Sequence, residues 1–110
     1  MEAPSELTIL VAEDDLLSRQ LLQSYLDEEG HRVLVAENGR EAVETFSRES
    51  PDLVILDVKM PVMDGLEACR HIKGMMEQRW VPVMMISSNN EEQDQAAGLN
   101  TGADYYLTKP

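Results

Sequence analysis

Four places in this sequence put a reactive or charged side chain directly after an apolar run. Glu13 and Asp14 follow the run at residues 7–12, Asp57 follows 53–56, Ser87 and Ser88 follow 81–86, and Lys109 comes after 104–108. Carboxylates gathered at one point repel each other and cost stability unless a cation neutralises them. An all-oxygen set with no His or Cys cluster suits a hard ion. A few ligands at one crevice suit Mg²⁺, which keeps its waters, better than a full Ca²⁺ cage. A carboxylate, a Mg²⁺, a lysine and a hydroxyl around one crevice also equip a site for phosphoryl transfer, where catalysis is mostly positioning and charge neutralisation. A carboxylate can itself be the nucleophile, giving an aspartyl phosphate. The lysine would then neutralise one phosphoryl oxygen and the serine hydroxyl would hydrogen-bond another.

For these residues to work together, the elements carrying them must end at a common edge. Residues 7–12 read as a buried strand ending in an acidic loop. Leu17, Leu21, Leu22, Tyr25 and Leu26 share one face of a helix that Gly30 stops. Arg32–Ala36 read as a second strand, Asn38-Gly39 as a turn, and Ala42, Val43 and Phe46 as the inner face of a second helix bounded by Pro51. A short strand at 53–56, a helical face of Leu66, Cys69, Ile72 and Met76, and a strand at 81–86 follow. A weak helix over 91–99, a break at Gly102 and a last strand at 104–108 complete the alternation.

Strands that are apolar on both faces and alternate with helices predict an α/β fold, a parallel sheet covered by helices. Ligands of such sheets bind beyond the carboxyl ends of the strands. If the first and third strands are neighbours, as in doubly wound sheets, Glu13, Asp14 and Asp57 cluster there.

The chain has 110 residues, the size of one domain spanning 1–110, with residues 1–6 a polar lead-in. Its 43% hydrophobic content can build a core without staples. Nine basic residues against 21 acidic ones leave a net charge of −12, which argues against clamping nucleic acid or anionic lipid. Cys69 is the single cysteine, so no disulfide framework or cysteine metal cluster is expected, and a cytoplasmic setting fits. No apolar run approaches a membrane span.

Three segments resemble the receiver domain of bacterial two-component response regulators. They are Ile9-Leu10-Val11-Ala12-Glu13-Asp14-Asp15, then residues 51–65 with the pattern Asp57-x-x-Met60-Pro61-x-Met63-Asp64-Gly65, and Gly102-Ala103-Asp104-Tyr105-Tyr106-Leu107-Thr108-Lys109-Pro110. The resemblance implies a flavodoxin-like doubly wound sheet of five parallel strands in the order 2-1-3-4-5. It implies that Asp57 accepts a phosphoryl group and that Asp14 binds Mg²⁺ directly. Glu13 would bind the ion directly or through water, and the backbone carbonyl of Lys59 would complete the protein ligands. Ser87 matches the Thr/Ser switch position, Tyr106 the aromatic switch position and Lys109 the family's lysine. The implied partner is a sensor histidine kinase or phosphotransfer protein, and an output domain often follows on the C-terminal side. Such a domain is a phosphoacceptor that assists its own phosphorylation and dephosphorylation rather than an enzyme.

Plainer roles exist for each residue. Acids after a strand can cap the next helix, a role that suits Asp15 best. Ser87 could be a turn residue, Tyr106 a core aromatic and Lys109 a surface lysine. His31 and His71 stand away from strand carboxyl ends, Cys69 and the methionines read as core, and Trp80 as packing at the sheet's amino edge. A flavodoxin-like cofactor binder would need Gly, Ser or Thr amides where Glu13-Asp14-Asp15 stand. A hydrolase of the aspartyl-phosphate kind would want a carboxylate where Lys59 stands. A degenerate receiver acting as a scaffold typically lacks the phosphoacceptor or one of the paired acids, all present here.

Right-handed crossovers place the first helix on one sheet face and the later helices on the other. One helix cannot cover five strands that are apolar on both faces. The family's usual fifth helix, which would share that face, is lacking from these 110 residues. The expectation is therefore a chain less stable than one longer by a helix and prone to self-association.

Overall fold

The computed structural model describes residues 6–77, 79–87 and 102–108. Its elements run β1 (Thr8–Ala12), α1 (Leu16–Glu28), β2 (Arg32–Ala36), α2 (Gly39–Glu49), β3 (Leu53–Asp57), α3 (Gly65–Gly74), β4 (Val83–Ser87) and β5 (Tyr105–Thr108). The five strands form one parallel sheet in the order β2-β1-β3-β4-β5, the doubly wound order expected. The step from β1 to β2 runs opposite to the later steps, so right-handed crossovers put α1 on one face and, among the described helices, α2 and α3 on the other.

Alternate residues of each strand serve opposite faces. Leu10, Ala12, Val54, Leu56, Val83 and Met85 meet Ala42 and Phe46 of α2 and Ala68, Cys69 and Ile72 of α3 in the larger core. Ile9, Val11 and Ile55 face the other way, against Leu22 and Leu26 of α1.

Each of the three described helices starts with a side-chain cap at the carboxyl edge of the sheet. Asp15 accepts from Ser18 N–H at 2.9 Å, Asn38 from Glu41 N–H at 2.9 Å and Asp64 from Glu67 N–H at 2.8 Å. Asn38 and Gly39 are thus the cap and first residue of α2, not a free-standing turn.

Other departures from the sequence reading also have physical causes. The face of α1 is as read but only partly covered: Leu22 and Leu26 pack, Leu17, Leu21 and Tyr25 are 70%, 71% and 62% exposed, and no residue of the helix is buried. The helical period selects a common face but not whether a neighbour covers it. β4 begins at Val83, two residues later than expected, because Pro82 has no N–H for the ladder; its carbonyl accepts from Val54 N–H at 3.1 Å. β5 begins at Tyr105 rather than at residue 104. Met76 lies just beyond the end of α3, though still against the larger core. Trp80 is at the amino edge but 64% exposed, with Lys73 Nζ 5.6 Å from its ring centroid. The expected helix over 91–99, Ser88, Lys109 and Pro110 fall outside the described residues.

Candidate functional site

The sheet register explains how residues distant in sequence meet. Ala12 pairs with Leu56, so Glu13 and Asp57, each one position further on, reach the same edge. Asp57 pairs with Ile86, placing Ser87 one step beyond, and Ser87 pairs with Thr108. One carboxylate oxygen from each of Glu13, Asp14 and Asp57 lies within 4.8 Å of the other two. Glu13 and Asp57 are buried, 0% and 5% exposed, and Asp14 is exposed. Ser87 is 2% exposed.

The local chain is built to hold these acids. Glu13 N–H donates to Ala36 O at 3.0 Å, tying the loop to the end of β2. Glu13 Oε2 accepts from Asp15 N–H at 3.1 Å, while Arg19 Nη1 donates to the Glu13 carbonyl at 2.8 Å. Arg19 thereby brings a cation to the rim of the acidic loop.

After Asp57, Val58 N–H donates to Ile86 O at 2.9 Å, which extends the pairing of β3 and β4 past the acid. Gly65 N–H returns to Val58 O at 2.8 Å. A Cβ at Gly65 would collide with the Asp57 carbonyl oxygen, so glycine there lets α3 begin against the backbone of the acid. In the same loop Val62 adopts φ +70°, a conformation costly for a β-branched residue. Gly39 N–H donates to Met63 O at 2.8 Å, joining this loop to α2.

The donor set fits a hard divalent cation: three carboxylates, oxygen only, two of them in a poorly screened interior. Among the expected ligands, Glu13, Asp14 and Asp57 come together; Lys59 is exposed in the loop that follows Asp57. Tyr106 pairs with Met85 and packs against the larger core, its hydroxyl buried without a hydrogen-bond partner among the described residues. Lys109 lies outside the described residues.

Sequence reasoning placed Asp64 in the motif but missed its role as the cap of α3, and it missed Arg19. Asp64 carried a readable sign, an acid followed three residues later by Glu67 at a helix start. Arg19 carried none, since its partner is a backbone carbonyl.

Comparisons with known proteins agree with this geometry. The family model of the response regulator receiver domain matches residues 9–110. The alkaline phosphatase synthesis transcriptional regulatory protein PhoP of Bacillus subtilis is 39% identical over 102 residues, 93% of this chain and 42% of PhoP. The chain thus spans less than half the length of that relative.

Among solved structures, the receiver domain of the sensor histidine kinase PA1611 from Pseudomonas aeruginosa, with magnesium in its active-site cleft, is 30% identical with a TM-score of 0.88. That match covers 96% of this chain and 87% of the other. The receiver domain of Saccharomyces cerevisiae Ssk1, crystallised with the histidine phosphotransfer protein Ypd1, is 27% identical with a TM-score of 0.86, covering 96% and 79%. With its strand order, acidic edge and motifs all in agreement, this chain belongs to the response regulator receiver domain family.

Proposed function

We propose that Asp57 is the phosphoacceptor of this domain and takes its phosphoryl group from the phosphohistidine of a sensor histidine kinase or a phosphotransfer protein. The observation that carries this reading is the convergence of Glu13 and Asp14, in the loop after β1, and Asp57, at the end of β3, within 4.8 Å. A Mg²⁺ held by these carboxylates and the Lys59 carbonyl would neutralise charge on the incoming phosphoryl oxygens. A carboxylate oxygen of Asp57 attacks phosphorus, the phosphorus–nitrogen bond breaks, and its electron pair returns to the donor imidazole. The chain's contribution is to hold the acceptor oxygen in line and to place charges around the phosphoryl group.

Ser87, next to Asp57 across the β3–β4 register, hydrogen-bonds the bound phosphoryl, and Lys109 neutralises a second oxygen. Movement of Ser87 is transmitted to Tyr106, whose ring already packs on the larger core. The domain is itself modified rather than turning over a substrate. Because PhoP, a transcriptional regulator by name, is more than twice as long as its matched part, the switched surface would act on an output domain or partner. No helix among the described residues is long and apolar enough to cross a membrane, and a kinase-driven, Mg²⁺-dependent step suits the cytoplasm.

The test is to incubate the wild type and Asp57→Asn with acetyl phosphate, with and without Mg²⁺. A base-labile mass increase of one phosphate is expected in the wild type with Mg²⁺ and in neither protein otherwise. Equal labelling of both proteins would overturn the assignment.

A further inference from the structure

At the amino edge of the sheet, opposite the acidic cluster, a second polar group joins three elements. Lys73, near the end of α3, places Nζ 2.7 Å from Asp104 Oδ2 and 3.2 Å from Val81 O. Asp104 Oδ2 also accepts from Val83 N–H at 2.8 Å, and Asp104 N–H donates to Val83 O at 2.9 Å. The side chains of Lys73 and Asp104 are 18% and 23% exposed, so water screens this pair less than a surface pair. Gly102, at φ +97°, turns the chain into the joint, and a Cβ there would meet Lys73 Cγ at 3.3 Å.

β5 needs an external register mark. It is four residues long, stands at the sheet edge, and buries none of its residues fully. Register is strongly specified where one strand face is buried and weakly where it is not. A slip of one residue would put Tyr105 where Tyr106 meets the larger core and would remove Thr108 from its place beside Ser87.

We propose that Asp104, held by Lys73, is a positioning residue that sets the register of β5 and so decides which tyrosine faces the core and which residue stands beside Ser87. The proposal deepens the function proposed above, since it assigns a fixed end to the strand that carries Tyr106. With its amino end clamped to β4 and α3, β5 moves at its carboxyl end, where Ser87 changes partner. Trp80, beside Lys73, reports on the clamp.

The test compares Asp104→Ala, Asp104→Asn and Lys73→Met with the wild type by amide exchange, Trp80 emission and calorimetric titration with Mg²⁺. In Asp104→Ala and Lys73→Met the amides of Tyr105, Tyr106 and Leu107 should exchange about tenfold faster, those of β1 unchanged. Asp104→Asn, which keeps an acceptor for Val83 N–H, should restore most of the protection. Mg²⁺ affinity should be the wild-type value in all three, because the acidic cluster lies at the other edge. Beryllofluoride should alter exchange at Tyr106 in the wild type and in Asp104→Asn but not in Asp104→Ala.

Unchanged β5 exchange in Lys73→Met, with Trp80 emission altered to show the clamp broken, would overturn the proposal. So would equal acceleration in β1 and β5, which marks a general loss of stability. If Asp104→Ala does not fold, Lys73→Met decides. If beryllofluoride leaves the wild type unchanged, the switch reading of Tyr106 fails, while β5 exchange without beryllofluoride still judges the register.

Discussion

At the scale of single residues, the acidic cluster sets a donor set that suits a cation against the stability of the metal-free fold. Glu13, Asp14 and Asp57 stand close enough for mutual repulsion, yet their convergence is what a divalent cation requires. Asp14→Asn should therefore weaken Mg²⁺ binding while stabilising the metal-free domain by on the order of 1 kcal/mol. Thermal unfolding with chelator and with saturating Mg²⁺ checks this. Opposite signs for the two differences are expected, and destabilisation of Asp14→Asn in chelator would contradict it.

Gly65 is a different kind of necessity, steric rather than electrostatic, because a Cβ would strike the Asp57 carbonyl oxygen. Gly65→Ala should cost about 1–3 kcal/mol as α3 is pushed away from β3. It should also slow phosphorylation of Asp57, whereas Gly74→Ala, with open space around it, should do neither. Denaturant midpoints and acetyl phosphate labelling of the two variants test the contrast.

At the scale of elements, the starts of helices belong to the site as much as to the helices. Asp15, Asn38 and Asp64 cap α1, α2 and α3 at the edge where the phosphoryl group would bind, so each cap fixes a loop as well as a helix end. Asp64→Ala should cost about 1 kcal/mol of stability and loosen the loop holding Lys59, lowering Mg²⁺ affinity as well. A stability loss with unchanged affinity would show that the loop is held by other contacts. For the switch, Ser87→Ala should accept phosphate yet lose most of the beryllofluoride-induced change in exchange up to Tyr106.

Much of this level was legible in the sequence. Apolar runs marked the strands, and the acids after them marked the site, because a buried parallel strand and its polar exit are both local signals. The partners of Lys73, Arg19 and Arg79 were not legible. Lys73 finds Asp104, 31 positions away, Arg79 finds Asp52, 27 positions away, and no local pattern announces such pairs. The shared face of α1 was legible as a helical period, but which of its residues a neighbour covers was not, since a helical face is local and its cover is not.

At the scale of the whole molecule, two opposing features meet. A net charge of −12 keeps copies apart. Against that, Ser18, Leu21, Leu22 and Tyr25 of α1 face Ile86, Leu107 and Thr108 across an apolar groove of about 490 Å³. Of these, Leu21, Tyr25 and Leu107 each expose more than half their surface, at 71%, 62% and 52%. Apolar side chains gathered on that face favour association. Repulsion between like-charged copies is screened by salt, whereas apolar contact is not, so the balance should shift with ionic strength. The 110-residue chain should sediment as a monomer at roughly 0.01 M salt, where the Debye length is about 30 Å, and show a reversible dimer at about 1 M, where it is about 3 Å. Leu21→Glu, which puts a charge in the groove, should abolish the dimer at about 1 M salt. Arg40→Glu, which adds negative charge on the opposite layer, should leave the dimer at about 1 M salt intact but raise the salt concentration at which it first forms. A strictly monomeric wild type at high salt and high concentration would show that α1 and β5 leave no surface apolar enough to overcome the charge.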